Sequence, residues 1–285
     1  MKIENGELSI IHTPLEMQAL SQNWQKGLSI GFVPTMGFLH EGHLSLVQES
    51  NRMCDVTVVS IFVNPSQFGA NEDLSSYPRN LERDLQLLSK HKVDYVFIPK
   101  AEDIYPPTYR TWVNVTGISE VLCGASRPGH FTGVATVVLK LVNIVKPGLM
   151  FMGEKDYQQV TVLKAMLKDL NVPTTIIPCP IMREADGLAM SSRNTYLKGE
   201  ARQQALCLYK AILMAKQLYR EGIRDTNMLC EAASEIIKTN KGEIDYIEFV
   251  DPETLAHVGY AEADTRMILA VKVGVTRLID NSLIQ

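Results

Sequence analysis

Through the first two thirds of the chain, short runs of β-branched and apolar residues alternate with stretches whose apolar positions recur every three or four residues. That alternation is the mark of strand–helix–strand units and a parallel sheet. Ser29 to Val33 is the first predicted strand. Asp55-Val56-Thr57-Val58-Val59-Ser60-Ile61-Phe62-Val63 is β-branched or apolar almost throughout, as a central parallel strand covered on both faces requires. Asp94 to Ile98 and Leu149 to Met152 repeat the pattern at shorter length. The clearest predicted helix runs from Asp156 to Leu170, where Val160, Leu163, Leu167 and Leu170 form one apolar stripe.

The texture changes from Lys198 onward. Two helical stretches, Glu200 to Arg220 and Met228 to Thr239, precede two runs of strand alternation, Ile244 to Val250 and Arg266 to Val273. Helices followed by strands, after a region that interleaves them, place a domain boundary near residues 180 to 195. The 285-residue length is that of one large or two modest domains, and the change of pattern favours two. No internal repeat or low-complexity tract is present, which argues against a solenoid.

Composition narrows the function classes. The hydrophobic fraction of 46% and charged fraction of 21% are those of a globular protein. With 28 basic and 32 acidic residues the net charge is −4, so there is no cationic surplus for nucleic-acid phosphate, and no nucleic-acid partner is expected. The segment Met1-Lys2-Ile3-Glu4-Asn5 lacks an apolar signal core, and no apolar run approaches the roughly 20 residues of a membrane span. Neither secretion nor membrane insertion is expected. Cys54, Cys123, Cys179, Cys207 and Cys230 are odd in number and widely spaced, which suits reduced thiols in a cytoplasmic protein better than a disulfide framework or zinc site.

Candidate chemistry clusters after the predicted strands. The first strand is followed by Pro34-Thr35-Met36-Gly37-Phe38-Leu39-His40-Glu41-Gly42-His43-Leu44, a glycine-bearing turn that opens a helix. Free backbone N–H groups and the positive end of the helix dipole suit a phosphate there, and Gly37 and Gly42 permit close approach to the backbone. His40 and His43, three residues apart, fall on one helical face and can both donate to a leaving pyrophosphate. Two unrelated surface histidines or a metal pair are the alternatives, but helical metal pairs favour a step of four and need a further ligand. The spacing of Gly37 and Gly42 imitates a P-loop, yet His43 and Leu44 stand where Lys and Ser/Thr would hold phosphate and magnesium. No G-x-G-x-x-G is present, so a hydride-transferring dinucleotide fold lacks its fingerprint.

Three further motifs follow in order. Phe62-Val63-Asn64-Pro65-Ser66-Gln67-Phe68 begins where the strongest strand ends, placing Asn64 and Gln67 to bond a small polar substrate or merely to form a turn. The polar stretch Gly69 to Arg79 beyond it has the length of a lid, or of a surface loop without a role. Met152-Gly153-Glu154-Lys155-Asp156-Tyr157-Gln158-Gln159 again joins strand to helix. There Gly153 would bring backbone near a nucleotide, Lys155 would supply a charge for phosphate, Asp156 would cap the helix or bond a ribose, and Gln159 would face the organic substrate. Taken alone, Gly-Glu-Lys-Asp is also a commonplace surface turn. Arg183-Glu184-Ala185-Asp186-Gly187-Leu188-Ala189-Met190-Ser191-Ser192-Arg193-Asn194 offers paired hydroxyls and a fixed cation that suit a triphosphate, and reads equally as a solvated linker.

Together with Arg127-Pro128-Gly129-His130-Phe131, these motifs and their order resemble the pantothenate synthetases over essentially the whole chain. That family belongs to the H-x-G-H nucleotidyl-transferring superfamily, which includes class I aminoacyl-tRNA synthetases. The resemblance implies a Rossmann-like, doubly wound α/β domain over 1–186 that binds ATP and pantoate, and a smaller C-terminal α+β domain over 187–285 that closes over the nucleotide. It implies condensation of pantoate with β-alanine through a pantoyl-adenylate, with Mg²⁺-ATP consumed and AMP and pyrophosphate released. ATP contacts would come from Met36, Gly37, Phe38, Leu39, His40, Glu41, Gly42 and His43, from Gly153, Glu154, Lys155 and Asp156, and from Met182, Met190, Ser191, Ser192 and Arg193. His43, His40, Lys155 and Arg193 would be catalytic. Gln67 would bind pantoate and then β-alanine, with Gln159, Asn64 and Thr35 as further substrate ligands; no protein ligand to a metal is implied. A homodimer is implied too, with a Thr111 to Gly117 strand as a contact.

Two positions depart from the family pattern. Met182 stands where relatives often carry Val, which matters little if the contact to adenine is through the backbone. Met190 stands where the related loop of the superfamily often has Lys, so Lys155 and Arg193 must carry more of the phosphate charge. Two rival readings differ in product: another adenylyl- or cytidylyl-transferase would release a nucleotide-bearing product, and a non-catalytic nucleotide-binding regulator would release no pyrophosphate.

Overall fold

A computed structural model describes residues 8–24, 27–70 and 72–285. The amino-terminal segment through Glu7, and Asn71 within the candidate lid, lie outside the described residues. The chain groups into two compact units: one made of the chain up to Thr116 with Arg127–Glu154 and Gln159–Pro180, the other of Gly117–Ser126, Lys155–Gln158 and Ile181–Gln285.

The first unit is built on a six-stranded parallel sheet of β1 (Ser9–Ile11), β2 (Ile30–Thr35), β3 (Val56–Ile61), β4 (Tyr95–Phe97), β5 (Leu149–Gly153) and β6 (Thr175–Cys179), in the order β1-β4-β3-β2-β5-β6. The order reverses between β2 and β5, and a parallel sheet opens a crevice at the carboxyl ends of its strands at such a switch. Thr35 ends β2 and Gly153 ends β5, so the first and third motifs begin at that crevice. The crossover helices are α1 (Pro14–Gln22), α2 (Glu41–Met53), α3 (Leu81–Leu88), the single turns α4 (Ala101–Ile104) and α5 (Cys123–Ser126), α6 (His130–Val145) and α7 (Tyr157–Asp169). Of these α5 and the first two residues of α7 group with the second unit. The core is apolar on both sheet faces, with Phe32, Val33, Val59, Val96, Phe97, Met150 and Phe151 fully buried.

Local chemistry fixes several ends. Thr13 and Glu16 form a reciprocal capping box at α1, where Glu16 N–H donates to Thr13 Oγ1 at 3.2 Å and Thr13 N–H to Glu16 Oε2 at 3.0 Å. The predicted helix from Asp156 to Leu170 is α7, preceded by a 3₁₀ turn over Glu154–Asp156.

The second unit holds α8 (Glu200–Gln204), α9 (Cys207–Arg220), α10 (Thr226–Thr239) and an antiparallel sheet of β7 (Glu243–Val250), β8 (Arg266–Val273) and β9 (Thr276–Leu283), in the order β7-β8-β9. The single helix predicted over Glu200 to Arg220 is divided. Ala205 and Leu206, between the two helices, keep right-handed helical dihedrals, and Ala205, Cys207 and Leu208 are all buried there. The strand β9 has no counterpart among the predicted elements; it follows a two-residue loop with Gly274 at φ +60° in its first position, as a tight hairpin needs.

The strand implied over Thr111 to Gly117 is absent: residues 111–115 have no regular secondary structure. Val113 N–H donates to the Thr136 hydroxyl at 3.0 Å instead of to a neighbouring strand, and Thr132 Oγ1 donates to Asn114 Oδ1 at 2.6 Å. Side-chain bonds to α6 therefore replace a ladder.

Candidate active site

The crevice side of the first unit starts at Thr35. Its hydroxyl donates to Ser60 O at 2.8 Å and accepts Gly37 N–H at 3.1 Å, which ties the end of β2 to β3 and starts the turn. Gly37 (φ +81°) and Phe38 (φ +50°) are both left-handed, and His40 is the N-cap of α2 in extended conformation. The amides of Glu41 and Gly42, in the first turn of α2, have no partner within the helix. His40 and His43 come together, with ring centroids 4.0 Å apart. His43 Nδ1 accepts His40 N–H at 3.4 Å, so a neutral His43 carries its ring proton on Nε2. Unrelated surface histidines would show neither contact.

Gln67 follows β3 in a 3₁₀ turn over Pro65–Gln67. Its Nε2 donates to Met36 Sδ at 3.0 Å, which joins the second motif to the first. Asn64 is only 1% exposed, and its Nδ2 donates to Gln67 Oε1 at 3.1 Å and to Gly133 O at 3.2 Å while its Oδ1 accepts the Ser66 hydroxyl at 2.9 Å. These bonds orient Gln67 from within the protein.

Two residues known only as part of a motif complete this wall. Arg127, just before α6, and His130, its first residue, both donate to the main-chain oxygen of Gln67, His130 Nδ1 at 2.8 Å and Arg127 Nη2 at 3.3 Å. Arg127 also binds Glu72 through Nε at 2.6 Å and Nη2 at 2.5 Å. Burial pushes the Glu72 carboxyl upward, but the hydrogen bonds and charge of Arg127 outweigh it and hold the group below the ordinary glutamate range. A Cβ added at Gly133 would stand 2.3 Å from Ser66 O and 2.8 Å from Gln67 N, so α6 can press on this turn only because residue 133 is glycine.

The rest of the candidate lid is tied down at several points. The Tyr77 ring is buried edge-on against Phe68, with centroids 5.9 Å apart, and Arg79 folds back to donate to Leu74 O at 2.8 Å. Gly153, at the end of β5, has open space where a Cβ would stand. Gln159 is half-buried, and its amide has no hydrogen-bond partner among the described residues.

The remaining site candidates belong to the second unit. Lys155 and Asp156 lie in the 3₁₀ turn, with Nζ 3.4 Å from Asp156 Oδ2. The main-chain oxygen of Lys155 accepts Asn281 Nδ2 at 3.0 Å, and Asn281 Oδ1 in turn accepts Arg266. The fourth motif is an ordered hairpin and not a solvated linker. Met190 N–H donates to Met182 O at 2.9 Å and Glu184 N–H to Leu188 O at 2.8 Å. Arg183 is held by Asp280 at 2.6 and 2.9 Å, and Arg202 reaches Glu184 and Asp186, each at 2.7 Å. Gly187 (φ +96°) passes so close to Tyr209 that a Cβ would stand 2.1 Å from the ring. From this hairpin emerge Ser191, whose Oγ accepts Arg193 N–H at 3.3 Å, the buried Ser192, and Arg193. Asn194 Nδ2 fixes the end of the motif to Glu184 at 2.7 Å.

The family model for pantoate–β-alanine ligase matches residues 9–283. The chain belongs to the pantoate–β-alanine ligase family. As a member it is an enzyme, an ATP-dependent ligase by family. A pantothenate synthetase of Caldicellulosiruptor saccharolyticus is 53% identical over 272 residues, covering 95% of this chain and 97% of its own length. That of Pseudothermotoga lettingae is 53% identical over 270 residues, covering 94% and 96%. Among solved structures, pantothenate synthetase from Thermus thermophilus superposes with a TM-score of 0.92 at 42% identity, covering 97% of this chain and 99% of that one. Pantoate–β-alanine ligase from Francisella tularensis, complexed with β,γ ATP and β-alanine, superposes with a TM-score of 0.82 at 37% identity, covering 98% of each chain. The Rossmann-like parallel sheet and the small antiparallel sheet are those of the family.

Proposed function

We propose that this enzyme activates pantoate with ATP and passes the activated acyl group to β-alanine in the site described, with the roles that the motifs imply. The observation that carries it is the meeting of two motifs where the sheet order reverses: a paired-histidine helix start at the end of β2, and Gln67 after β3, 3.0 Å from Met36.

In the first step a pantoate carboxylate oxygen attacks the α-phosphorus of ATP, an O–P bond forms, and pyrophosphate leaves with the electron pair of the broken P–O bond. The turn from Met36 to His43 would receive the phosphates, and His43, its proton on Nε2, would donate to the charge growing on the leaving group with His40 beside it. Gln67 would bind the pantoate, held by Asn64 at its amide and by Arg127 and His130 at its carbonyl, with Gln159 as a second ligand. By motif, Gly153 to Asp156, Met182 and Met190 to Arg193 would hold the nucleotide, Lys155 and Arg193 supplying positive charge. Magnesium would enter as part of the nucleotide substrate, with phosphate oxygens and water among its ligands; among the described residues no group of three or more His, Cys, Asp or Glu side chains is set to hold a metal ion.

In the second step the neutral amine of β-alanine attacks the acyl carbon of pantoyl-adenylate. A C–N bond forms, the acyl C–O bond to AMP breaks, and the ammonium proton is lost to solvent. Water must be kept out because it would hydrolyse the mixed anhydride.

The same proposal includes the division into a catalytic domain, 1–186, and a C-terminal domain, 187–285. It also includes a homodimer and a cytoplasmic location, the latter supported by five free cysteines. No helix among the described residues is long and apolar enough to cross a membrane. An assay supplying ATP, Mg²⁺, pantoate and β-alanine, then omitting each in turn, tests the reaction. Pyrophosphate should require ATP, Mg²⁺ and pantoate, and stoichiometric AMP and amide should further require β-alanine. Pyrophosphate release independent of pantoate would contradict it.

A further inference from the structure

A buried carboxylate outside every motif faces the phosphate-receiving turn from behind. Asp84, in the first turn of α3, is 1% exposed and accepts Phe38 N–H on Oδ2 at 2.7 Å and Leu39 N–H on Oδ1 at 2.8 Å. Its neighbour Arg83 donates Nη1 to Leu39 O at 2.8 Å, lies over the Phe38 ring at 5.2 Å, and stands 3.6 Å from Asp84 Oδ1. The pair therefore holds both amides and the carbonyl of two consecutive residues.

We propose that Asp84, assisted by Arg83, is a positioning residue for adenylation, fixing the backbone from Gly37 to Leu39 so that His40, His43 and the first amides of α2 face the triphosphate. The inference rests on the proposed function of that turn. Phe38 is a non-glycine residue in the left-handed region, a conformation that persists only where surrounding groups enforce it. The two short amide bonds supply that enforcement. Gly37 is bound into the same arrangement, since a Cβ there would stand 3.1 Å from Asp84 Oδ2 and 3.0 Å from Ile61 Cγ2. Burial pushes the Asp84 carboxyl above its ordinary range, against the opposing pull of the Leu39 and Phe38 amides and Arg83. Buried ion pairs can often be replaced by apolar side chains without loss of stability; this acid has both oxygens committed to main chain two and one residues before His40.

The test separates the two half-reactions. Asp84→Asn keeps the shape but turns one acceptor into a donor facing an N–H, and Arg83→Met keeps an unbranched stem but deletes both the bond to Leu39 O and the guanidinium over Phe38. Pantoate-dependent exchange of pyrophosphate into ATP is compared with formation of pantothenate from supplied pantoyl-adenylate and β-alanine, a step that needs no triphosphate. Asp84→Asn should lower kcat/KM for ATP in the exchange by about tenfold or more, and Arg83→Met by a few-fold, while the second half-reaction stays within about twofold of the unsubstituted enzyme. Equal loss in both half-reactions would make the pair merely structural and overturn the proposal, as would unchanged exchange. If Asp84→Asn does not unfold cooperatively, Arg83→Met decides alone, because Arg83 is partly exposed and Asp84 keeps its two main-chain amide donors when Arg83 is lost. Absence of pantoate-dependent exchange in the unsubstituted enzyme would instead sink the proposed function on which the inference stands.

Discussion

His40 and His43 face each other with ring centroids 4.0 Å apart and planes 38° from parallel, and His43 Nδ1 takes the His40 backbone N–H at 3.4 Å. The amide fixes the tautomer, so His43 presents Nε2–H as a donor without needing a positive charge. Replacing His43 by Ala should lower pantoate-dependent pyrophosphate release by roughly 10²- to 10³-fold, the loss typical of one donor to a transition-state oxyanion. Rapid-quench measurement of the first turnover checks it, and near-unsubstituted release would remove His43 from the chemistry.

Gly133 sets the distance between α6 and the turn that carries Gln67. A Gly133→Ala substitution places a methyl within 2.3 Å of Ser66 O, so either helix or turn must move. Overpacking of this kind costs about 1–3 kcal/mol. Unfolding by denaturant should show that loss, and the KM for pantoate should rise more than the KM for ATP. A variant with unaltered pantoate KM would show that the main chain at Gln67 does not set substrate affinity.

Glu72 and Arg127 form a pair whose contribution depends on pH in a definite direction. The folded carboxyl lies below the ordinary value of 4.5, so the unfolded chain binds the proton more readily. Stability from the pair is complete above about that value and is lost as pH falls through the lower folded pKa. Stability curves between pH 3 and 6 should therefore fall more steeply for the unsubstituted protein than for Glu72→Gln. Parallel curves would show the pair to be energetically silent.

Burial pushes the thiols of Cys179, Cys207 and Cys230 up to about 11. At pH 8 these groups are protonated and unreactive. Iodoacetamide with mass mapping should leave Cys179 and Cys207 unmodified in the native protein, label the half-buried Cys230 slowly, and label all three after denaturation. Rapid native labelling of Cys179 or Cys207, the two fully buried thiols, would contradict that burial.

The sequence made some of this fold legible and concealed the rest for identifiable reasons. The β-branched run from Val56 to Ile61 and the helical stripe from Val160 to Leu167 each present one unambiguous period, and both became the expected elements. The helix His130–Val145 is hidden in the sequence because Val134, Thr136, Val137, Val138, Val142, Ile144 and Val145 read as strand formers, and helical packing against the sheet overrides that preference. The third C-terminal strand hides behind mixed polarity, its partner β8 carrying most of the burial. At the site, the histidines, Gln67 and the Gly-Glu-Lys-Asp turn stand out because each follows a strand. Asp84 leaves no local trace, since its partners are backbone amides 46 and 45 residues away. Arg127 and His130 are visible only as a motif, because the carbonyl they hold lies 60 and 63 residues away and every residue has one.

A crystal structure with pantoate and a non-hydrolysable ATP analogue is the most direct measurement of where the chemistry occurs. The phosphates should lie against the turn from Gly37 to His43, within hydrogen-bond distance of His43 Nε2, with the pantoate carboxylate beside the α-phosphorus and in contact with Gln67. A nucleotide seated away from the carboxyl ends of β2 and β5, with both histidines untouched, would contradict that placement.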